Sequence, residues 1–459
     1  MYRKSTYLFV VNSINRFLNF FLRIVLRAVL GTNGFGMIAV ILPVQNLILT
    51  ITSYATSPSV SKFVSEDEAK GDFRDLYPFV FIFIGVLLFI VGFIVAPSFA
   101  SFLSEDFGDE IVTPLRVMFL GIPFGILFSI FTGIYLGKQR AKRVAMALFV
   151  VQASTIALAY AMGTRYGVEG AVLSFFLAYA LGTLYLLSYL ARVRGWTMDW
   201  DRARAMIRFS LPIIATSLAI VTIFQVDILV LGRYFSTYET SLYGLVTPTA
   251  RLITSFSVAL SSLLLPKMSS LKASNSHEEI GETFSKAFDV GFKVSLPFAL
   301  LILSFSREIL YVLFDSVEAT QALRILAVGM FFYSMYYLIS SCLQGLGRPR
   351  IPMYILSSCA FLDIILCFIL IPSYSVEGAA LATSTSMFVA FLLAFLYSRP
   401  NKIPKVLNIA SVIPLLLFER CVGILDGKIM TVAVYMVAGL IYFYVYNRLN
   451  GVLDVVFND

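Results

Sequence analysis

The sequence predicts an all-α polytopic membrane protein of about fourteen transmembrane helices: two six-helix lobes of related sequence, then two further helices. Three observations carry this. Of 459 residues, 59% are hydrophobic and 14% charged, and the mean hydropathy is +0.86; a soluble domain carries nearer a quarter charged residues. Apolar runs of about 20 residues recur from end to end, each able to cross roughly 30 Å of hydrocarbon. Barrel strands would be about half as long and would alternate in polarity. Finally, a shift of 208 residues lays the first half of the chain on the second.

In order, the expected spans are 8–30, 35–61, 78–103, 112–136, 144–163, 168–191, 209–232, 242–265, 287–312, 321–345, 352–371, 376–397, 406–425 and 429–447. The thirteenth is interrupted by Glu419-Arg420. The first is too long, and too broken by arginines, for a cleaved signal. Six spans per repeat give a first lobe of 1–205 and a second of 206–404 in the same orientation, with 405–459 as the extra pair. Parallel repeats of this kind are a secondary-transporter architecture, with the substrate site between the halves.

The repeat rests on many markers at one offset. Phe35-Gly36 falls on Tyr243-Gly244, Pro58 on Pro266, Leu115-Arg116 on Leu323-Arg324 and Gly121 on Gly329. Gly137 and Arg140 fall on Gly345 and Arg348, and Val168-Glu169-Gly170-Ala171 falls on Val376-Glu377-Gly378-Ala379.

The net charge of +8 is mostly topology. Loops on one side carry Lys138, Arg140, Lys142 and Arg143, then Arg192, Arg194, Arg202 and Arg204, then Arg348 and Arg350. Loops on the other side carry Glu105, Asp106, Asp109, Glu110, Asp315 and Glu318. The positive-inside rule then puts both termini in the cytoplasm of a multi-pass cell-membrane protein, with no nucleic-acid partner implied. Trp196 and Trp200 read as interfacial anchors. His277, the one histidine, is expected to be solvated in a cytoplasmic loop. Cys342, Cys359, Cys367 and Cys421 lie in spans without metal-like spacing and read as packing residues. Gly133–Lys138 lacks the spacing and the Ser/Thr of a phosphate loop, so neither ATP hydrolysis nor any other catalysis is expected.

The candidate site begins in the first span, where Asn12, Arg16, Asn19, Arg23 and Arg27 recur at helical spacing. At about 100° per residue they share an arc of roughly 80°. Each arginine at bilayer depth costs on the order of 3 kcal/mol on insertion scales, so the row needs water, a partner or an anionic ligand. Snorkelling to headgroups is the alternative for Arg23 and Arg27. Span two adds Gln45 and Asn46, with Thr50, Ser53 and Ser57 continuing one face past Pro43. Span seven adds Gln225 and Asp227, and span eight adds Thr247, Arg251 and Thr254 beside Pro248. Guanidinium groups hold phosphate oxygens in a bidentate fork at any physiological pH. The pattern therefore fits a phosphate or diphosphate better than a cationic drug. Asp363, in span eleven, falls on Thr155 and serves either a cation or proton or an arginine partner. Asp227 has Arg233 and Arg251 as candidate partners, and Arg116 and Arg324 are placed for headgroup contact.

The two six-helix repeats, the Asn/Arg-rich first span, Asp227 with Leu231-Gly232-Arg233, Gly345–Pro349 and the Val-Glu-Gly-Ala openings together resemble the multidrug/oligosaccharidyl-lipid/polysaccharide exporter superfamily, in its polysaccharide flippase branch. The resemblance covers nearly the whole chain and implies a two-lobed flippase with a cationic cavity. Its substrate would be a polyprenyl-(pyro)phosphate-linked oligosaccharide moved to the outer leaflet. Arg16, Arg23, Arg27 and Arg251 would hold the phosphate, Asn12, Asn19, Gln45, Asn46 and Gln225 would face the sugar, and Asp227 and Asp363 would relay charge. Fourteen spans are similar to the lipid II and spore-coat branches. No cofactor is expected beyond a coupling cation or proton. The expected partners are membrane lipids and glycosyltransferases of the same pathway, with the monomer as the working unit. A drug/cation antiporter is the runner-up, disfavoured because span one has no carboxylate. A polysaccharide polymerase or ligase is third, since the longest outer loop is about ten residues.

Overall fold

A computed structural model describes residues 2–50, 56–70, 79–103, 108–187, 199–274 and 277–398. Among them there is no strand, and the chain is an all-helical polytopic membrane protein. Among the described residues, eight helical stretches are long and apolar enough to cross a membrane. The expected spans thirteen and fourteen, with Cys421 and Glu419-Arg420, lie outside the described residues, as do Ser53 and Trp196.

Three helices are far too long for one crossing: α1 (Tyr2–Leu49), α6 (Ala141–Leu187) and α13 (Arg350–Ser398). At 1.5 Å per residue each would run about 70 Å, more than twice the hydrocarbon thickness. Each contains one non-helical residue at positive φ: Gly31 (φ 67°), Gly167 (φ 60°) and Ser375 (φ 48°). These mark the junctions of spans one and two, five and six, and eleven and twelve. The last two are single-residue reversals. A Cβ on Gly170 would lie 2.2 Å from the carbonyl oxygen of Met162, and one on Gly378 2.4 Å from that of Leu370. Residues eight apart on a straight helix are about 12 Å apart. The glycine of each Val-Glu-Gly-Ala marker is thus the residue that lets the returning helix touch the outgoing one.

Between the long helices run α2 (Thr56–Lys70), α3 (Val80–Leu103), α4 (Val112–Leu120), α5 (Ile122–Gly137), α7 (Trp200–Tyr234), α8 (Thr237–Arg251), α9 (Ser255–Ala273), α10 (His277–Ser304), α11 (Ser306–Phe314) and α12 (Thr320–Gly345). The internal repeat reaches individual hydrogen bonds. After α5, Arg140 N–H donates to the Tyr135 carbonyl and Gln139 N–H to that of Leu136. After α12, Arg348 N–H donates to Leu343 and Gly347 N–H to Gln344, 208 residues on in every case. Both are Schellman caps, whose left-handed residue is normally glycine. The second half has Gly347 (φ 71°) there and the first half has Gln139 (φ 55°). Helix contacts repeat as well. Gly137 faces the Ser61 carbonyl of α2, Gly345 faces the Leu265 carbonyl of α9, Gly121 meets Phe176 and Gly329 meets Ser384.

The chain forms two compact units. One comprises the described residues of Met1–Leu245 with Leu356–Ala379; the other comprises those of Val246–Ile355 and from Ala380 onward. In the first, α1 packs mainly on α6 and α7, α2 on α5, and α3 on α4 and α5. In the second, α12 packs on both α9 and α10. There the buried hydroxyls of Ser257, Ser295 and Ser334 bond one another, Ser295 to Ser334 at 2.7 Å. Ser257 also bonds Ser334.

Of span two, α1 is described to Leu49 and α2 from Thr56, and two hydroxyls of the expected polar face are engaged within the protein. Thr50 turns its hydroxyl back to the Asn46 carbonyl (2.6 Å), and Ser57 accepts from Thr132 of α5 (3.2 Å). Trp200, Arg202 and Arg204 are already helical, because Asp199 caps α7 by accepting from Arg202 N–H at 3.0 Å. His277 opens α10 rather than lying within a loop.

Candidate functional site

The polar row of the first span lies on an unbroken helix from Tyr2 to the Gly31 turn, so the arc expected from its spacing exists in the backbone. Asn12 and Arg16 are on that helix; their side chains lie outside the described residues. Asn19 is exposed, and Arg23 and Arg27 are half-buried beside the packed positions Leu22 and Leu26. Nη1 of Arg27 is buried with no hydrogen-bond partner. A cationic donor sequestered this way in hydrocarbon is costly unless an anion completes it. Nearby in the chain, Gln45 and Asn46 are half-buried on the second limb of α1, and Gln45 Oε1 is likewise buried without a partner. The first unit therefore holds one donor and one acceptor, both unmet, on the two limbs of α1.

The same unit holds two buried carboxylates. Asp227, 1% exposed on α7, accepts from the Tyr243 hydroxyl (2.5 Å) and from Ile228 N–H (2.8 Å). Asp363 is 0% exposed on α13. Cys359, Asp363 and Cys367 follow one another at four-residue spacing on α13, and Asp363 and Asp227 belong to the same compact unit. Gln225, one turn before Leu229 on α7, is half-buried. Arg233 is exposed at the end of that helix.

Arg251 belongs to the second unit. It closes α8, three residues after Pro248, where the chain tightens into a 3-10 turn over Leu252–Thr254. The Thr254 hydroxyl donates to the Arg251 carbonyl at 2.8 Å. Among the described residues, no group of three His, Cys, Asp or Glu side chains is placed to hold a metal ion.

Sequence reasoning overlooked Tyr243. It served there only as a repeat marker opposite Phe35, yet that substitution is itself the signal. At the 208-residue offset, Asn19 and Phe35 become Asp227 and Tyr243. The second copy thereby gains an acid and the hydroxyl that bonds it.

The family model described as polysaccharide biosynthesis protein matches residues 1–272, and the MatE model matches residues 212–369. The chain is 26% identical over 413 residues to an uncharacterized membrane protein of Methanocaldococcus jannaschii, covering 85% of this chain and 96% of that one. It is 26% identical over 197 residues to the probable low-salt glycan biosynthesis flippase of Haloferax volcanii, covering 42% of each. Its fold matches that of a lipid II flippase in an inward closed conformation with a TM-score of 0.79 at 16% identity, over 96% of this chain and 98% of the other.

Proposed function

Because the chain belongs to the polysaccharide biosynthesis protein family, in the flippase branch of the multidrug/oligosaccharidyl-lipid/polysaccharide exporter superfamily, we propose that it carries a polyprenyl-(pyro)phosphate-linked oligosaccharide from the cytoplasmic to the outer leaflet by alternating access. The family is one of transporters rather than enzymes. The observation that carries the reading is the pair Arg23 and Arg27, half-buried one turn apart on an unbroken membrane helix. Like charges at this spacing repel, and an anion between them removes the penalty. Two guanidinium forks match the oxygens of a diphosphate. Arg16 and Arg251 share the binding of phosphate. Asn12, Asn19, Gln45, Asn46 and Gln225 supply donors and acceptors for sugar hydroxyls.

Asp227 and Asp363 are the coupling groups. Two carboxylates buried in one apolar unit disfavour simultaneous ionisation, so a proton or a cation is taken up with one of them. The ion is then cargo, bound and released once per cycle. In this reading the lobes are 1–205 and 206–404, both termini face the cytoplasm, and the working unit is a monomer in the cell membrane. Glycosyltransferases of the same pathway supply the substrate.

The test is reconstitution of the full-length protein in proteoliposomes with a labelled polyprenyl-diphosphate saccharide. Arg16→Ala, Arg23→Ala, Arg27→Ala and Arg251→Ala should each abolish translocation while leaving insertion intact. Normal transport by all four would overturn the assignment. The MatE match over residues 212–369, which contains both Asp227 and Asp363, favours a second reading as a drug/cation antiporter. Restored drug resistance in a hypersensitive host, with no saccharide translocation, would select it.

A further inference from the structure

The two repeats treat one arginine differently. Arg116 and Arg324 occupy the same position at the 208-residue offset, one on α4 and the other on α12. Arg324 is exposed. Arg116 is half-buried, its guanidinium carbon 5.0 Å above the centre of the Phe93 ring on α3. Its Nε is buried with no hydrogen-bond partner, and no salt bridge forms to it among the described residues. The sequence supplies the reason for the contact. Gly92 is so close to Phe119 of α4 that a Cβ would lie 2.1 Å from that ring, and this approach sets the neighbouring Phe93 under Arg116. At the same offset the second half has Leu300 and Leu301, which provide neither the close approach nor the ring.

Phe93 also packs edge-on against Phe89 at 5.8 Å, so the ring is braced from its own helix. The rest of this face is lipid-exposed: Phe93 is 43% accessible, Ile94 70% and Ile90 48%. A cation held over an aromatic face gains on the order of 1 kcal/mol. An arginine at the centre of a membrane helix costs roughly 3 kcal/mol, and Arg116, the fifth residue of the apolar stretch Val112–Gly137, bears a part of that cost. The stack orients the guanidinium, and a position this close to the start of a span lets a long basic side chain reach a lipid phosphate.

We propose that Arg116, seated on Phe93, binds the phosphate of one lipid molecule on the outer side of the α3–α4 pair. The Phe93 ring covers one face of the guanidinium, leaving its terminal Nη groups for the phosphate oxygens and the exposed apolar residues of α3 for an acyl or prenyl chain. This site is independent of the polar row on α1 and of its proposed role.

The experiment is native mass spectrometry of the full-length protein released from vesicles of phosphatidylglycerol and phosphatidylcholine. One phospholipid should remain bound to the wild type. Arg116→Ala should retain it at least tenfold less, and Phe93→Leu severalfold less. Arg324→Ala should match the wild type. A second arm adds inorganic phosphate, and a third adds a polyprenyl phosphate. Displacement by the polyprenyl phosphate supports a lipid-borne phosphate site that also takes prenyl lipids, whereas displacement by inorganic phosphate alone overturns the lipid assignment. Equal retention by wild type and Arg116→Ala overturns the site. If Arg116→Ala does not fold, Phe93→Leu decides: retention equal to wild type rejects the proposal.

Discussion

Alanine at Gly170 or Gly378 tests the helix reversals through the sign of its effect. In an ordinary helix the substitution stabilises by up to about 1 kcal/mol, because glycine is the poorer helix former. At these positions the new Cβ would sit 2.2 Å from the Met162 oxygen or 2.4 Å from the Leu370 oxygen, closer than real Cβ atoms approach. The obstacle is main chain and cannot rotate away, so the reversal must open. Overpacking of this kind costs about 1–3 kcal/mol, and a backbone obstacle belongs at the upper end. The net effect is a loss of about 2 kcal/mol at each site, a fall in unfolding temperature of about 2 °C for a chain of this length. The protein carries its own reporters: Cys342, Cys359 and Cys367 are free and buried, so with Cys421 replaced by serine a thiol-reactive fluorophore stays dark until they are exposed on heating. Gly281, with open space around it, is the control and should gain stability as alanine. A rise in melting temperature for Gly170→Ala and Gly378→Ala would refute the reversal geometry.

Other outcomes follow from the same structure. Gln139→Gly should stabilise by about 1 kcal/mol, since it relieves a non-glycine residue at φ 55° in the cap that Gly347 already fills; the thiol assay reads the shift. Ser334→Ala removes two of the three contacts in the serine cluster and should cost about 1–2 kcal/mol in the same assay. Asp227→Asn keeps an acceptor for the Tyr243 hydroxyl while removing the charge. With Asp363→Asn it should abolish the dependence of saccharide translocation on an ion gradient without preventing folding, and unchanged gradient dependence in both would remove these residues from the coupling role.

Much of the fold was legible because hydrocarbon allows few alternatives. Span length follows from burying backbone in lipid, the repeat offset recurs in the paired helix caps, and the described helices lie where the apolar runs are. Legibility was weakest for what a polar side chain touches. Nothing in the composition of span two announces that the Thr50 hydroxyl turns back to the Asn46 carbonyl or that Ser57 accepts from Thr132 of α5. Asp199 was readable in principle: an acid three residues before Arg202 is a cap, and only the surrounding arginines made the segment look like loop. The first-span row was visible because charge in a membrane segment is conspicuous. Tyr243 was not, because one tyrosine among 24 is not. Arg116 and Arg324 were indistinguishable as sequence, since their difference lies in Gly92 and Phe93 on another helix.

The single-residue reversals at Gly167 and Ser375 also bear on biogenesis. Two spans joined by one residue leave almost no hydrophilic segment between them, so neither can settle in the membrane and wait for the other. Each pair should leave the insertion machinery as a preformed hairpin. The order in which the chain acquires its topology would then be set hairpin by hairpin. Epitope tags or protease sites placed at residue 167 or 375 would interrupt that step rather than report on it, and topology mapping is better directed to the longer connections.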